Sequence, residues 1–133
     1  MNTHSLLHRQ VNPIQVQDGR VNSQIFTPMP KDQKKLSVDD GEKLSAEESF
    51  HRFIANGWTS CGVLSVTVQE CGTLNLTVTP DALENDPDHA LIDFSSIATN
   101  SQVKKMASKL LKFAETRGWT YQPVTENARS DDK

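Results

Sequence analysis

Residues 58–80 read WTSCGVLSVTVQECGTLNLTVTP. Leu64, Val66 and Val68 fall on one side and Val63, Ser65 and Thr67 on the other, the period of two that marks a half-buried strand over 60–68. Leu74, Leu76 and Val78 alternate with Asn75, Thr77 and Thr79 until Pro80 stops the run, which predicts a second strand over 74–79. Glu70-Cys71-Gly72-Thr73 between them reads as a turn, so the two runs are expected to pair as an antiparallel hairpin. Cys61 and Cys71 would face each other across it as small half-buried residues, because no C-x-x-C spacing or Cys/His cluster accompanies them.

Two helices flank this stretch. Ser45-Ala46-Glu47-Glu48 is a capping box, Phe50, Phe53 and Ile54 follow at helical spacing, and Asn56-Gly57 is a left-handed stop, predicting a helix over 46–56. Val103, Met106, Ala107, Leu110, Phe113 and Ala114 trace the apolar stripe of a longer helix over 101–117, capped near Asn100 or Ser101 and closed by Gly118. Further short strands are expected at 5–11, before Asn12-Pro13, at 21–27, at 35–38 and at 89–94. Trp119 and Tyr121 are expected to fold back as a short strand or anchor. The polar residues 125–133 read as a disordered tail behind one domain over 1–124. Strands and helices that do not alternate regularly give an α+β class, an antiparallel or mixed sheet of five to seven short strands with two main helices on one face.

The chain has 133 residues, with 14 Lys and Arg against 17 Asp and Glu, enough for one core without disulfides or metal. No apolar run approaches the ~20 residues of a membrane span, and MNTHSLLHRQ has no apolar signal core, so a cytoplasmic protein is expected. The net charge of -3 disfavours nucleic acid as a partner. Residues 101–117 nevertheless carry +4, leaving -7 for the remainder. Lys104, Lys105, Lys109 and Lys112 are the expected contact residues for a protein partner.

No phosphate-binding loop, dinucleotide fingerprint, zinc motif or nucleophile elbow occurs, and no catalytic residue can be named. Polar residues gather instead in the first forty positions and around Asp88-His89. Arg9 lies in an apolar strand, where its guanidinium requires a carboxylate such as Asp39, Asp40 or Asp93, backbone carbonyls, or an anionic ligand. Arg9 and Arg20 together would form a fork-like grip on a phosphate or carboxylate, with Ser23 and His89 beside it. His8 and His51 read as surface positions, and the four His build no metal site.

Arg9 to Pro13 (R-x-x-x-P), Asp18 to Phe26 (D-G-R-V-x-S-x-x-F), Leu36 to Gly41 (L-S-V-x-D-G) and His89 to Ile92 (H-A-x-I) resemble a pattern of small bacterial proteins with no assigned activity. That resemblance spans most of residues 6–94 and implies a compact bacterial domain. The order Leu7-His8-Arg9, Gly19-Arg20-Val21-Asn22-Ser23, KKLSV and a Ser45 helix is also similar to the early elements of RES-type toxins of the ADP-ribosyltransferase kind, with Val21 where that family has Trp. That likeness implies NAD as cofactor and dinucleotide contacts at Arg9 and Arg20. Two functions are therefore expected in contrast. One is a non-enzymatic accessory protein of a bacterial cytoplasmic system, of toxin–antitoxin or defence type, acting without a cofactor through protein contact. The other is a small NAD- or nucleotide-handling enzyme.

Overall fold

The chain runs through seven strands and three α-helices in the computed structural model, which describes residues 1–29 and 33–123; the tail expected at 125–133 lies outside them. In order these are β1 (Leu6–Val11), a 3-10 turn (Pro13–Gln15), β2 (Val16–Gln17), β3 (Arg20–Val21), a second 3-10 turn (Ser23–Phe26) and β4 (Lys35–Asp40). Then follow α1 (Ala46–Ala55), β5 (Gly62–Thr67), α2 (Val68–Thr73), β6 (Thr77–Pro80), β7 (His89–Asp93) and α3 (Asn100–Arg117). Five strands form one antiparallel sheet in the order β5-β1-β4-β7-β6, while β2 and β3 make a separate small hairpin. The α+β class follows from this sheet and its helices.

The expected hairpin of 60–68 with 74–79 does not form. Its first run is β5 at one edge of the sheet and its second contributes β6 at the opposite edge, with three strands between. The cause is Thr67, whose hydroxyl accepts the Glu70 N–H at 3.0 Å while the Glu70 carboxylate accepts the Thr67 N–H at 2.8 Å. This is a second capping box. It starts α2 where alternation suggested a continuing strand and a turn. Cys61 and Cys71 are both free thiols, and burial pushes Cys71 up to about 12, so it packs as a small apolar group.

The strand expected over 21–27 is also replaced. Asn22 accepts the Gln24 N–H through its side chain and starts the Ser23–Phe26 turn, which drives Ile25 and Phe26 fully into the core against α3. Asp18 and Gly19, both at positive φ, close the β2–β3 hairpin before it.

Alternation along β1 puts Leu7 and Val11 on one face and His8 and Gln10 on the other. The Leu7 face joins Leu36, Val38, Leu64, Val66, Ala90 and Ile92 to Val103, Ala107, Leu110 and Ala114 of α3 in the main core. The opposite face holds Val63 against Ala46 and Phe50 of α1, with Tyr121 closing that smaller cluster. The two main helices thus cover opposite faces rather than one, because the alternation of β1 and β5 gives each face its own apolar residues, Leu7 and Leu64 towards α3 and Val63 towards α1. Thr99, one residue before the expected caps, accepts the Gln102 N–H to open α3. Tyr121 makes an antiparallel bridge to Val63 at the outer side of β5. Gly62 permits this approach, since a Cβ there would stand 2.9 Å from the Trp119 ring.

Candidate functional site

β1 and β4 are neighbours over two register pairs only, Leu7 with Asp40 and His8 with Asp39, whereas β1 matches β5 over six. Beyond His8 the two strands diverge and the sheet forks. Arg9 spans the gap, its Nε donating to Ile25 O at 2.6 Å and its Nη1 to Ser37 O at 2.9 Å. The guanidinium replaces ladder bonds that the fork removes, which explains a cation inside an apolar strand. Replacing Arg9 by Ala is expected to cost about 1.5 kcal/mol, through two charge-assisted bonds lost to carbonyl groups. Chemical denaturation of the two proteins checks it; an unchanged midpoint would refute the strut.

On the α1 face the register aligns four polar residues across adjacent strands: Ser65, His8, Asp39 and His89. His8 is 3% exposed, against its expected surface position, because its strand runs through the middle of the sheet under the Leu44 loop. Its Nε2 donates to Leu44 O at 3.0 Å, leaving Nδ1 to accept from Ser65 Oγ at 2.8 Å. Burial lowers its pKa, opposed by the Leu44 carbonyl and Asp40. Gly41 lies against this ring. A Cβ there would meet Leu6 O at 2.6 Å and His8 Nε2 at 2.9 Å, so only hydrogen fits.

Asp39 belongs to a longer chain of bonds. Ser60 Oγ donates to Gln10 Oε1 at 2.8 Å, Gln10 Nε2 to Ser49 Oγ at 2.9 Å, and Ser49 Oγ to Asp39 Oδ2 at 2.6 Å. Asp39 and Asp86 are hydrogen-bonded carboxyl to carboxyl. Burial first, and this pairing second, push Asp39 up to about 8, against the opposing Ser49 bond and Arg52 charge. Asp39 therefore holds its proton well above the ordinary carboxylate range. Arg52 of α1 then answers Asp86 at 2.9 Å and Asp88 at 3.1 Å.

Over the fork lies a cavity of about 230 Å³, lined among others by Arg9, Gln10, Asn12, Gln15, Asp39, Phe53, Asp86 and His89. Comparison with family models, curated proteins and solved structures returns no match. Of the four expected ligand residues, the cavity includes Arg9 and His89, while Arg20 sits exposed in the β2–β3 hairpin and Ser23 opens the following turn. Arg20 and Ser23 also stand outside a second cavity that Arg9 lines on the α3 side with Lys34 and Lys104. The volume over the fork is below the ~300–1,000 Å³ usual for drug-sized ligands, so it suits something smaller than a dinucleotide.

Gln10, Phe53 and Asp86 entered no site reading. Only Gln10 carried a signal, as a polar residue at an alternate position of the otherwise apolar strand SLLHRQV, whereas Phe53 reads as part of an apolar helix face and Asp86 as part of a polar connector. Among the described residues, no group of three or more His, Cys, Asp or Glu is arranged to hold a metal ion. No helix among them is long and apolar enough to cross a membrane.

The lysines expected to meet a partner are all exposed on α3. At 100° per residue Lys104, Lys105, Lys109 and Lys112 fall within an arc of about 140°. Among the described residues none of the four is in an ion pair, whereas Arg117 is clamped by the Glu70 carboxylate at 2.9 and 3.1 Å. Lys109 and Lys112 border a groove of about 520 Å³ between α2 and α3, beside the half-buried Phe113.

Proposed function

We propose that this chain is a non-enzymatic accessory protein of a bacterial cytoplasmic system that binds an acidic segment of a protein partner through the lysine band of α3. The observation that carries this reading is the placement of four unanswered ammonium groups on one arc beside the Phe113 groove. Lys105 with Lys109, and Lys109 with Lys112, are like charges at i,i+4 and i,i+3 spacing, an arrangement that costs a helix ~0.2–0.5 kcal/mol per pair. A carboxylate-rich segment laid along the arc relieves that repulsion and gains electrostatic steering from the helix. Phe113 supplies an apolar anchor point for the same segment.

The test joins cross-linking in native lysate to measurement on the purified pair. A partner cross-linked to Lys105 or Lys109 should bind at least about tenfold more weakly to the Lys105→Glu/Lys109→Glu protein, and its affinity for wild type should fall as salt rises. Equal affinity for both proteins, or affinity indifferent to salt, would remove the lysine band from the reading.

A further inference from the structure

We infer that the cavity over the β1–β4 fork binds a small neutral polyol, a single sugar ring or a cyclitol, with its hydroxyl edge on His89 and Asp39 and one ring face against Phe53. This stands apart from the lysine band, which lies on α3 beyond the other face of the sheet.

His89 supplies the first ground. Its side chain is only 10% exposed, and Nδ1 is committed to Asp81 at 2.9 Å to the carbonyl and 3.1 Å to the carboxylate. Both partners are acceptors, so Nδ1 carries a proton and the ring orientation is fixed. Nε2 has no partner within the protein, and it is not sealed away from solvent. A ring nine-tenths buried in the lining of a cavity, with one nitrogen held and the other without a protein partner, is arranged to meet a ligand group.

The remaining lining sets the class of that ligand. Asn12 and Gln15 use their amide oxygens to cap the Ile14 and Asn12 N–H groups, which leaves their NH₂ groups as donors. The lining therefore offers both donors, the two amide NH₂ groups, and an acceptor, His89 Nε2, which the hydroxyls of a polyol can meet in either sense. The charged side chains of the lining are already engaged within the protein, Asp86 with Arg52, Asp39 with Ser49 and Asp86, and Arg9 with the Ile25 and Ser37 carbonyls, so an ionic ligand has to compete with these contacts where a neutral one does not. Phe53 gives an apolar wall and is stacked on Trp58, centroids 6.2 Å apart, which is 60% exposed. C–H faces of a sugar ring pack on such a surface while the hydroxyl rim turns to the polar wall. About 230 Å³ is the room of roughly eight waters, which a six-membered polyol would displace.

Thermal melts of the full chain with glucose, galactose, mannose or myo-inositol, with and without His89→Leu, test this. At about ten times its dissociation constant a bound probe raises Tm by roughly 4 °C in wild type. Polyols also stabilise proteins by exclusion from the surface, an effect the variant keeps. The inference requires an excess rise in wild type with at least one probe. It also requires that probe to shift the His89 ring resonances without shifting those of exposed His4 and His51. Equal rises in both proteins, unmoved His89 resonances, or a response to putrescine or phosphate in place of the polyols would overturn it. The resonance measurement decides the matter even where the variant fails to fold.

Discussion

Truncation of Leu110 to Ala is expected to destabilise the protein by about 2–5 kcal/mol, with Lys109→Ala, one residue away, staying within about 0.5 kcal/mol. Leu110 is fully buried in the core that joins α3 to the Leu7 face of the sheet. Its removal takes away both the transfer energy of the side chain and the contacts lining the space left behind. Lys109 is exposed on the same helix, so helix propensity alone cannot separate the two variants. At this chain length the first change should lower Tm by roughly 8 °C or more and the second by less than about 2 °C. Equal shifts would mean that α3 does not present this stripe to the sheet.

Raising the pH from 6.5 to 8 is expected to cost about 1–2 kcal/mol of stability, and Asp39→Asn should abolish that decline. Asp39 keeps its proton to about 8 in the native protein and to 3.8 in its ordinary state, so between those values the native chain holds a proton that the unfolded chain releases. Stability from this group is complete below the lower value and is lost as pH rises towards the higher. His8 acts in the opposite sense. Its pKa is lowered from 6.5, so as pH falls below that value the unfolded chain takes up a proton the native chain refuses, and stability drops. The two slopes oppose each other on the acid side, and only the Asp39 decline remains above 6.5. Asp86, Asp88, Asp40 and Arg52 surround the pair, so the profile belongs to the cluster as a unit. Melting curves at constant ionic strength across this range would show it. A stability that climbs from pH 6.5 to 8 would contradict the carboxyl pair.

The elements most legible in the sequence were those where two independent signals agree. The Ser45–Glu48 box stands directly before aromatic residues at helical spacing, and the helix appears at Ala46–Ala55. Thr67–Glu70 has the same spacing, but it is embedded in the alternation of Val66, Thr67 and Val68, and the strand period masked it. The helix that this box starts carries the chain away from β5, and β6 lies at the far edge of the sheet. Asn22 had the same effect on a smaller scale at Ile25 and Phe26.

The candidate site was legible only in part. Arg9 and His89 declared themselves as polar residues in apolar strands. Asp39 and Asp86 become neighbours of one cavity only through the β1–β4–β7 register and the docking of α1, and pairing between strands so distant in sequence leaves no local trace. The lysine band was legible because helical spacing alone orders it.

The two outer strands dispose differently of their unpaired backbone groups. The Tyr121 bridge occupies the flank of β5, and β6 has only four residues and finishes at Pro80, which has no N–H to donate. Among the described residues neither flank offers a long open ladder to a second molecule, which disfavours strand-by-strand addition at the two edges of the sheet.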